Sequence, residues 1–341
     1  MNRLFKKSTR IIVIDLLYLG DLIFALPFIK GLRSNFPDGT IDLVVNSVFY
    51  DIMIDNPYLD NLFSYNKKWG IRESLSFARK LSHHKYNLGL NIHGNWRTAL
   101  LLKLINPEYA IGYGGKGRGI FLDQELKQPK AQHMVDIYLD FLTEIGLSIE
   151  HTLPTMEVPV AARIGIAQLL EKWGIKDNEL LIALNTGGTW PTKRWTAQGF
   201  AQLADRLNRS GVRVVFTGSC SDLWEIKKIV ALMDSAAIIA AGQTSLKELI
   251  ALLARCDLVI SNDSGPVHVA AAVGTPTITI FGPSDEVKYR PLGEKHRIIK
   301  TGIECRPCGE HQCPLGHHRC MRDIKVEDII GAVKELGVWH E

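Results

Sequence analysis

SNDSGPVHVAAAVGTPTITIFGPSD, residues 261–285, reads as a strand end, a turn, a short helix, a stop and a second strand. The apolar run 256–260 before it suits a buried parallel strand. Asp263 or Ser264 is placed to cap a helix, and Pro266 fits a first turn, where no amide donor is needed. Small residues carry the helix over 267–273, Gly274 stops it and Pro276 prevents its continuation. Residues 277–281 alternate as a strand that Gly282-Pro283 closes. A helix that starts among small residues directly after a strand turns free N–H groups and the positive end of its dipole toward an anion. The plainer reading of the same residues is an ordinary capped helix.

The same strand–turn–helix unit recurs on both sides of this stretch. Upstream of it lie a helix over 161–172, strand 180–185, helix 196–209, strand 212–217, helix 222–233, strand 236–240 and helix 245–255; a final amphipathic helix covers 326–336. The first half runs strand 11–16, helix 22–35, strand 40–45, short helix 51–54, strand 62–65, helix 72–81, strand 86–92, helix 97–105, strand 109–113 and helix 133–145. Such alternation builds parallel sheets covered on both faces, with functional loops at the carboxyl ends of the strands. The Pro-containing stretch HTLPTMEVPV, 151–160, reads as a linker between two doubly wound α/β domains in tandem.

Composition agrees and excludes several classes. A chain of 341 residues exceeds what one hydrophobic core usually serves. With 46% hydrophobic and 22% charged residues it is an ordinary globular protein, and a net charge of +4 is too weak to call for nucleic acid. Arg3, Lys6, Lys7 and Arg10 form a basic N-terminal cluster, read as a solvated tail that can lean on anionic lipid. No apolar run approaches the ~20 residues of a membrane helix. Met1–Arg10 lacks the apolar core of an export signal, so Cys220, Cys256, Cys305, Cys308, Cys313 and Cys320 are expected reduced, in the cytoplasm.

Four places carry candidate chemistry. Asp21 follows Gly20 where the first strand hands over to the first helix; it is either a helix cap or a carboxylate placed to take a proton from a hydroxyl. The loop 185–195, NTGGTWPTKRW, puts accessible backbone at Thr186 and Gly187 beside the cations Lys193 and Arg194. In 217–222, TGSCSD, Ser221 or Asp222 suits an N-cap, while Asp222 or Glu225 is placed to accept from a ribose hydroxyl. Neither a GxGxxG after the first strand nor a Walker A spacing is present. Finally Cys305, Cys308, Cys313 and Cys320 fall with His317 and His318 in one short segment, whose C-x2-C-x4-C-x6-C spacing is tighter than common zinc ribbons. It reads as a reduced cysteine-rich loop, with a structural metal held by these thiols and histidines as the alternative.

Together LGDLIFALP (19–27), WPTKRW (190–195), NDSGPVHVAAAVGTPTITIFGPSD (262–285) and CRPCGEHQCPLGHHRCM (305–321) resemble glycosyltransferase family 9, the bacterial ADP-heptose:lipopolysaccharide heptosyltransferases. The motifs span nearly the whole chain in the expected order, and the cysteine segment resembles the heptosyltransferase II branch. The resemblance implies a GT-B fold, two Rossmann-like domains facing a central cleft. It implies an acceptor domain over 1–155, a nucleotide-sugar donor domain over 156–323, and a final helix, 324–341, that rejoins the first. By the same resemblance Asp21 matches the catalytic base of an inverting, metal-independent transfer that needs no cofactor. Lys193 matches the lysine that meets the donor pyrophosphate, and Asp263, with Ser264, Gly265 and His268, the donor site. Where the family has Gly-Gly-Pro this chain has Thr217-Gly218-Ser219, which leaves the ribose partner open between Asp222 and Glu225.

The expected reaction therefore transfers heptose from ADP-heptose to a lipid A–Kdo/heptose inner-core acceptor, with peripheral contact at the cytoplasmic face of the inner membrane. Acceptor candidates on the first domain are Tyr18, His93, Asn95, Trp96, Arg97, Lys116, Arg118 and His133. The rival readings are a GT-B protein with another nucleotide-sugar donor, a sugar-nucleotide epimerase, and a non-catalytic nucleotide- or glycan-binding protein.

Overall fold

The computed structural model describes residues 9–114 and 118–339. Arg3, Lys6, Lys7 and Lys116 lie outside them, as does the Arg118 side chain. The chain divides into two compact units, Met1–Thr152 and Leu153–Glu341.

The first unit runs β1 (Arg10–Asp15), α1 (Leu19–Phe24), α2 (Leu26–Asn35), β2 (Thr40–Asn46), α3 (Tyr50–Met53), β3 (Asn61–Tyr65) and α4 (Ile71–Ser82). It continues with β4 (Leu88–Asn91), α5 (Trp96–Ile105), β5 (Tyr109–Tyr113), β6 (Gln124–Leu126) and α6 (Met134–Glu144). Its six parallel strands lie in the order β3-β2-β1-β4-β5-β6.

The second unit runs α7 (Val160–Lys172), β7 (Leu181–Asn185), α8 (Ala197–Arg209), β8 (Arg213–Thr217), α9 (Leu223–Val230), β9 (Ile238–Ile239) and α10 (Leu246–Arg255). Then follow β10 (Leu258–Asn262), α11 (Gly265–Ala272), β11 (Thr277–Phe281), α12 (Glu286–Tyr289), β12 (His296–Lys300), α13 (Arg319–Arg322) and α14 (Val326–Glu335). Its parallel order, β12-β11-β10-β7-β8-β9, repeats the first. The α/β class with two doubly wound parallel sheets is thus the one observed. In each unit the winding reverses beside the first strand, between β1 and β4 and between β7 and β10. A crevice opens at that point because neighbouring loops leave to opposite faces.

The central strands are covered on both faces, so β7 and β10 are buried at every residue and their sequences run apolar rather than alternating. The helix expected over 22–35 is two helices: Pro27 has no N–H to donate, and the chain restarts at Leu26 with the proline in its first turn. Two edge strands, β6 and β12, were not expected; one has three residues and the other, HRIIK, reads polar.

The last helix sits elsewhere than expected. The resemblance joined 324–341 to the first domain, but α14 packs on α8, β11 and β12 of the second unit. Val326, Ile329, Ile330 and Val333 enter the core around Phe200, Ile278 and Ile280, and Trp195 Nε1 donates to Ile324 O at 3.1 Å. Burying such side chains contributes roughly 1.5–3 kcal/mol each. An amphipathic stripe demands a cover without naming which sheet supplies it.

Candidate active site

In the second unit two asparagines at the strand ends build the site. Asn262, the last residue of β10, donates through Nδ2 to Thr186 O at 2.8 Å and Gly187 O at 3.1 Å. Its Oδ1 accepts from Trp195 N at 3.0 Å, so one buried amide holds both ends of the 186–195 loop. Asn185, the last residue of β7, donates to Thr217 O and Oγ1 at 3.3 and 3.2 Å and accepts from Ser264 Oγ at 3.1 Å. Loop amides and carbonyls taken from water need such partners. The loops after β7, β8 and β10 are therefore tied side by side at the switch point.

Lys193 and Asp263 meet there. Lys193 ends the short turn Pro191–Lys193, and its Nζ lies 2.7 Å from Asp263 Oδ2, with side-chain exposures of 16% and 4%. Ser284 Oγ donates to the same oxygen at 2.6 Å, and His268 Nε2 stands 3.9 Å from Oδ1. Trp190 and Tyr289 frame the ammonium, their ring centroids 4.6 and 5.9 Å away. Ser264 precedes α11 but spends its hydroxyl on Asn185, so the first turn of that helix has no side-chain cap. Pro266 contributes no N–H, and the Gly265 end of α11 stays open to an anion beside a half-buried cation.

The other candidates are more occupied than expected. Asp222 Oδ2 accepts from Ser219 N at 2.8 Å and Ser219 Oγ at 2.7 Å, closing the turn Cys220–Asp222. Its other oxygen faces Gly187, where a Cβ would approach to 3.3 Å, so the two loops touch at a glycine. Glu225, in the first turn of α9, lies 4.0 Å from Lys228 Nζ. Arg194, expected to add positive charge where an anion would approach, also donates through Nε and Nη2 to Gly188 O at 3.1 and 3.0 Å and clamps the loop. Asn185 and Asn262 stood in the quoted motifs without a role of their own, although a polar amide ending an apolar strand was a signal for both; Ser284, past the end of β11, carried none.

The cysteine segment supports this site from beneath. Thr192 Oγ1 donates to Glu310 O at 2.8 Å, His318 Nε2 lies 2.7 Å from Thr192 O, and the Trp190 and His311 rings meet at a 31° tilt with centroids 4.0 Å apart. Arg306 Nε donates to Gly282 O at 3.1 Å and Gly309 N to Pro283 O at 2.8 Å, next to Ser284. The segment thus props both turns that converge on Asp263. Among the described residues no group of three or more His, Cys, Asp or Glu is arranged to hold a metal ion. Burial pushes the Cys320 thiol up, and its neighbours Cys308, Cys305 and Cys313 add to that.

In the first unit Asp21 lies in the first turn of α1, and its Oδ2 accepts from Tyr18 N at 3.2 Å. His93, just past β4, places Nε2 2.9 Å from Asp15 Oδ1 and Nδ1 3.2 Å from the Tyr138 hydroxyl. Burial works against the His93 imidazolium, but the Asp15 carboxylate, by charge and hydrogen bond, and Asp21 together outweigh it, so the net shift is upward. Two acceptor candidates serve as helix caps: Asn95 Oδ1 accepts from Arg97 N at 2.9 Å and His133 Nδ1 from Val135 N at 3.1 Å. Tyr18 and Trp96 are exposed, with Lys67 5.3 Å above the first ring and Arg97 5.6 Å from the second.

Comparison with known proteins agrees with this geometry. The sequence profile of glycosyltransferase family 9 (heptosyltransferase) matches residues 74–319. Lipopolysaccharide heptosyltransferase 3 of Escherichia coli K12 is 29% identical over 336 residues, 94% of this chain and 95% of that protein. A solved glycosyl transferase family 9 structure from Veillonella parvula superposes with a TM-score of 0.89 at 29% identity, covering 96% of this chain and 97% of that one. E. coli ADP-heptose LPS heptosyltransferase II shares the fold, with a TM-score of 0.82 at 23% identity over 96% and 98% of the two chains.

Proposed function

Because the chain belongs to glycosyltransferase family 9, we propose that it transfers heptose from ADP-heptose to the inner core of lipopolysaccharide, with inversion at the anomeric carbon. The observation that carries this reading is the Lys193–Asp263 pair at the uncapped end of α11. A diphosphate docked there takes the helix N-terminus as one partner and the Lys193 ammonium as another. Both are fixed before reaction and meet charge that grows as the sugar–oxygen bond breaks, which is where electrostatic stabilisation lowers a barrier most.

Proton removal falls to Asp21 in the first unit. It accepts the acceptor hydroxyl proton as that oxygen attacks the anomeric carbon and the ADP oxygen leaves from the opposite side. Thr186 and Gly187 offer backbone to the nucleotide, and Ser264, Gly265 and His268 complete the donor site. Asp222 or Glu225 receives the ribose hydroxyl. Asp222 lies against the Gly187 loop, which favours it of the two. The exposed pairs Tyr18–Lys67 and Trp96–Arg97 suit a phosphorylated lipid A–Kdo/heptose acceptor. No helix among the described residues is long and apolar enough to cross a membrane; the reading includes peripheral contact with the bilayer that carries such an acceptor.

A transfer assay with ADP-heptose, competing nucleotide sugars and truncated inner-core acceptors tests the reading. Asp21→Ala is expected to lose turnover at least ~100-fold, the span of one general base, while still binding ADP. Near-normal turnover in that variant would remove Asp21 from the mechanism, and indifference to the donor's sugar would remove heptose.

A further inference from the structure

The strands of the first sheet run parallel, so the loops after β1, β2, β3 and β4 leave from one edge, the edge on which α1 opens with Asp21. Large apolar side chains gather at the tips of these four loops, which neighbour one another in the sheet order. Trp69 and Ile71 follow β3, Val48 sits in the turn Ser47–Phe49 after β2, Tyr18 follows β1 and Trp96 follows β4. Among the described residues of this unit nine large hydrophobics are exposed, and these are five of them. Scattered exposure needs no cause, but a row of apolar tips along one edge marks a contact surface. The extremes are Ile71 and Val48, exposed to 80% and 63%. Trp69 is already held in place: its ring meets Tyr65 at 5.2 Å in T-shaped geometry and Phe77 at 5.5 Å, tilted. Little rotamer freedom is left for it to lose on contact.

Cations stand between the apolar tips. Lys67 and Lys68 precede Trp69, Arg72 follows Ile71 and Arg97 follows Trp96, all exposed. Lys67 Nζ lies 5.3 Å from the Tyr18 ring, so the loops after β1 and β3 meet. The exposed acidic groups beside them are Asp51 in the first turn of α3 and Glu73 in the first turn of α4, the latter folded back over Gly70. Aromatic and aliphatic tips suit the headgroup layer of a membrane, and Lys and Arg stems lying among them carry their charge to its phosphates. We propose that this edge is the face on which the protein sits on an anionic phospholipid bilayer. Asp21, on the same edge, then meets an acceptor that the bilayer itself presents. The inference deepens the proposed function and rests on it in one respect, that the acceptor is lipid-borne; adhesion itself requires neither donor nor acceptor.

Flotation of the full chain with vesicles free of lipopolysaccharide, in the absence of nucleotide, tests this. Vesicles of phosphatidylethanolamine and phosphatidylglycerol in equal parts should carry the protein with them, and vesicles of phosphatidylcholine should not. Lys68→Gln/Arg72→Gln should weaken partition roughly 25-fold, about fivefold for each cation removed. Val48→Ser/Ile71→Ser should weaken it about tenfold or more. All four side chains are exposed, so the fold should survive both changes. Lys68→Arg/Arg72→Lys, which keeps the charge, should bind as the wild type does. Transfer to a water-soluble, deacylated inner-core acceptor should be unchanged in every variant. Wild-type adhesion that survives both neutralising and polar substitutions would place the contact elsewhere, on the basic N-terminal cluster for instance, and overturn the proposal. Equal binding to both kinds of vesicle, or to neither, would overturn it as well. A chain that binds anionic vesicles through these residues yet transfers no heptose would instead sink the proposed function and leave this surface standing.

Discussion

Replacing Lys193 with alanine removes the cation from a pair whose other member is almost wholly enclosed. Asp263 would keep the Ser284 hydroxyl at 2.6 Å and His268 Nε2 at 3.9 Å, but no charge-assisted partner at hydrogen-bond distance. Removing one side of a buried pair costs about 3–5 kcal/mol. The Lys193 side chain keeps 16% of its surface in water, so screening places the expected loss near the lower bound, about 3 kcal/mol. For a domain of this size that lowers Tm by roughly 6–12 °C. Asp263→Asn leaves the ammonium with two aromatic faces and a route to solvent, and should cost less, about 1–2 kcal/mol. The double variant should then be more stable than the sum of the singles predicts. ADP adds a second axis. At a hundred times its Kd it stabilises the wild type by about 2.7 kcal/mol; Lys193→Ala should lose most of that gain, whereas Asp263→Asn, with its lysine released, should bind ADP more tightly. Thermal unfolding with and without ADP, plus calorimetric titration, reads all of these. A Lys193→Ala protein that melts within about 2 °C of wild type, in a cycle that adds without coupling, would refute the argument.

Two further perturbations follow from the same unit. Glu286 is buried, which opposes its charge, yet the Lys300 and Arg306 hydrogen bonds outweigh burial and hold it down to about 2 from its ordinary 4.5. Its folded value lies below the unfolded one, so its stabilisation is complete above pH 4.5 and is lost as pH falls from there toward 2; Glu286→Gln should flatten acid unfolding across that window. Asn262→Ala strands Thr186 O, Gly187 O and Trp195 N, each buried orphan costing about 1–3 kcal/mol. Hydrogen exchange in 186–195 should quicken and ADP affinity fall, and unchanged protection would mean the loop is held by something else.

How much of this was legible in the sequence depended on burial. The runs at 11–16, 180–185 and 256–260 declared themselves as strands because both faces are covered, which permits little but apolar residues. β6 and β12, half exposed at sheet edges, are under no such demand and passed as loop. Lys193 and Asp263 were each singled out, but their pairing joins positions 70 residues apart, and no local pattern encodes it. Asp15 was passed over because a carboxylate closing an apolar strand looks like any loop-entry residue; its partner His93 lies 78 positions away. The loop-clamping bonds of Arg194 to Gly188 O were equally hidden, because a charged residue in a loop does not declare which backbone carbonyl it will reach.

The repeated winding of the two sheets also sets when each site comes into being. Asn262 reaches Thr186 across 76 residues, and His93 reaches Asp15 across 78, only once β10 has found β7 and β4 has found β1. Those are pairings of high sequence separation, slow to form because a long loop must be closed before any contact rewards it. The outer strands can assemble on either side without creating a working pocket. Binding competence should therefore appear late in refolding, in one step with closure of the central strand pair. A chain halted before β10, during synthesis or by truncation, would carry Lys193 and its loop but no place to hold a diphosphate.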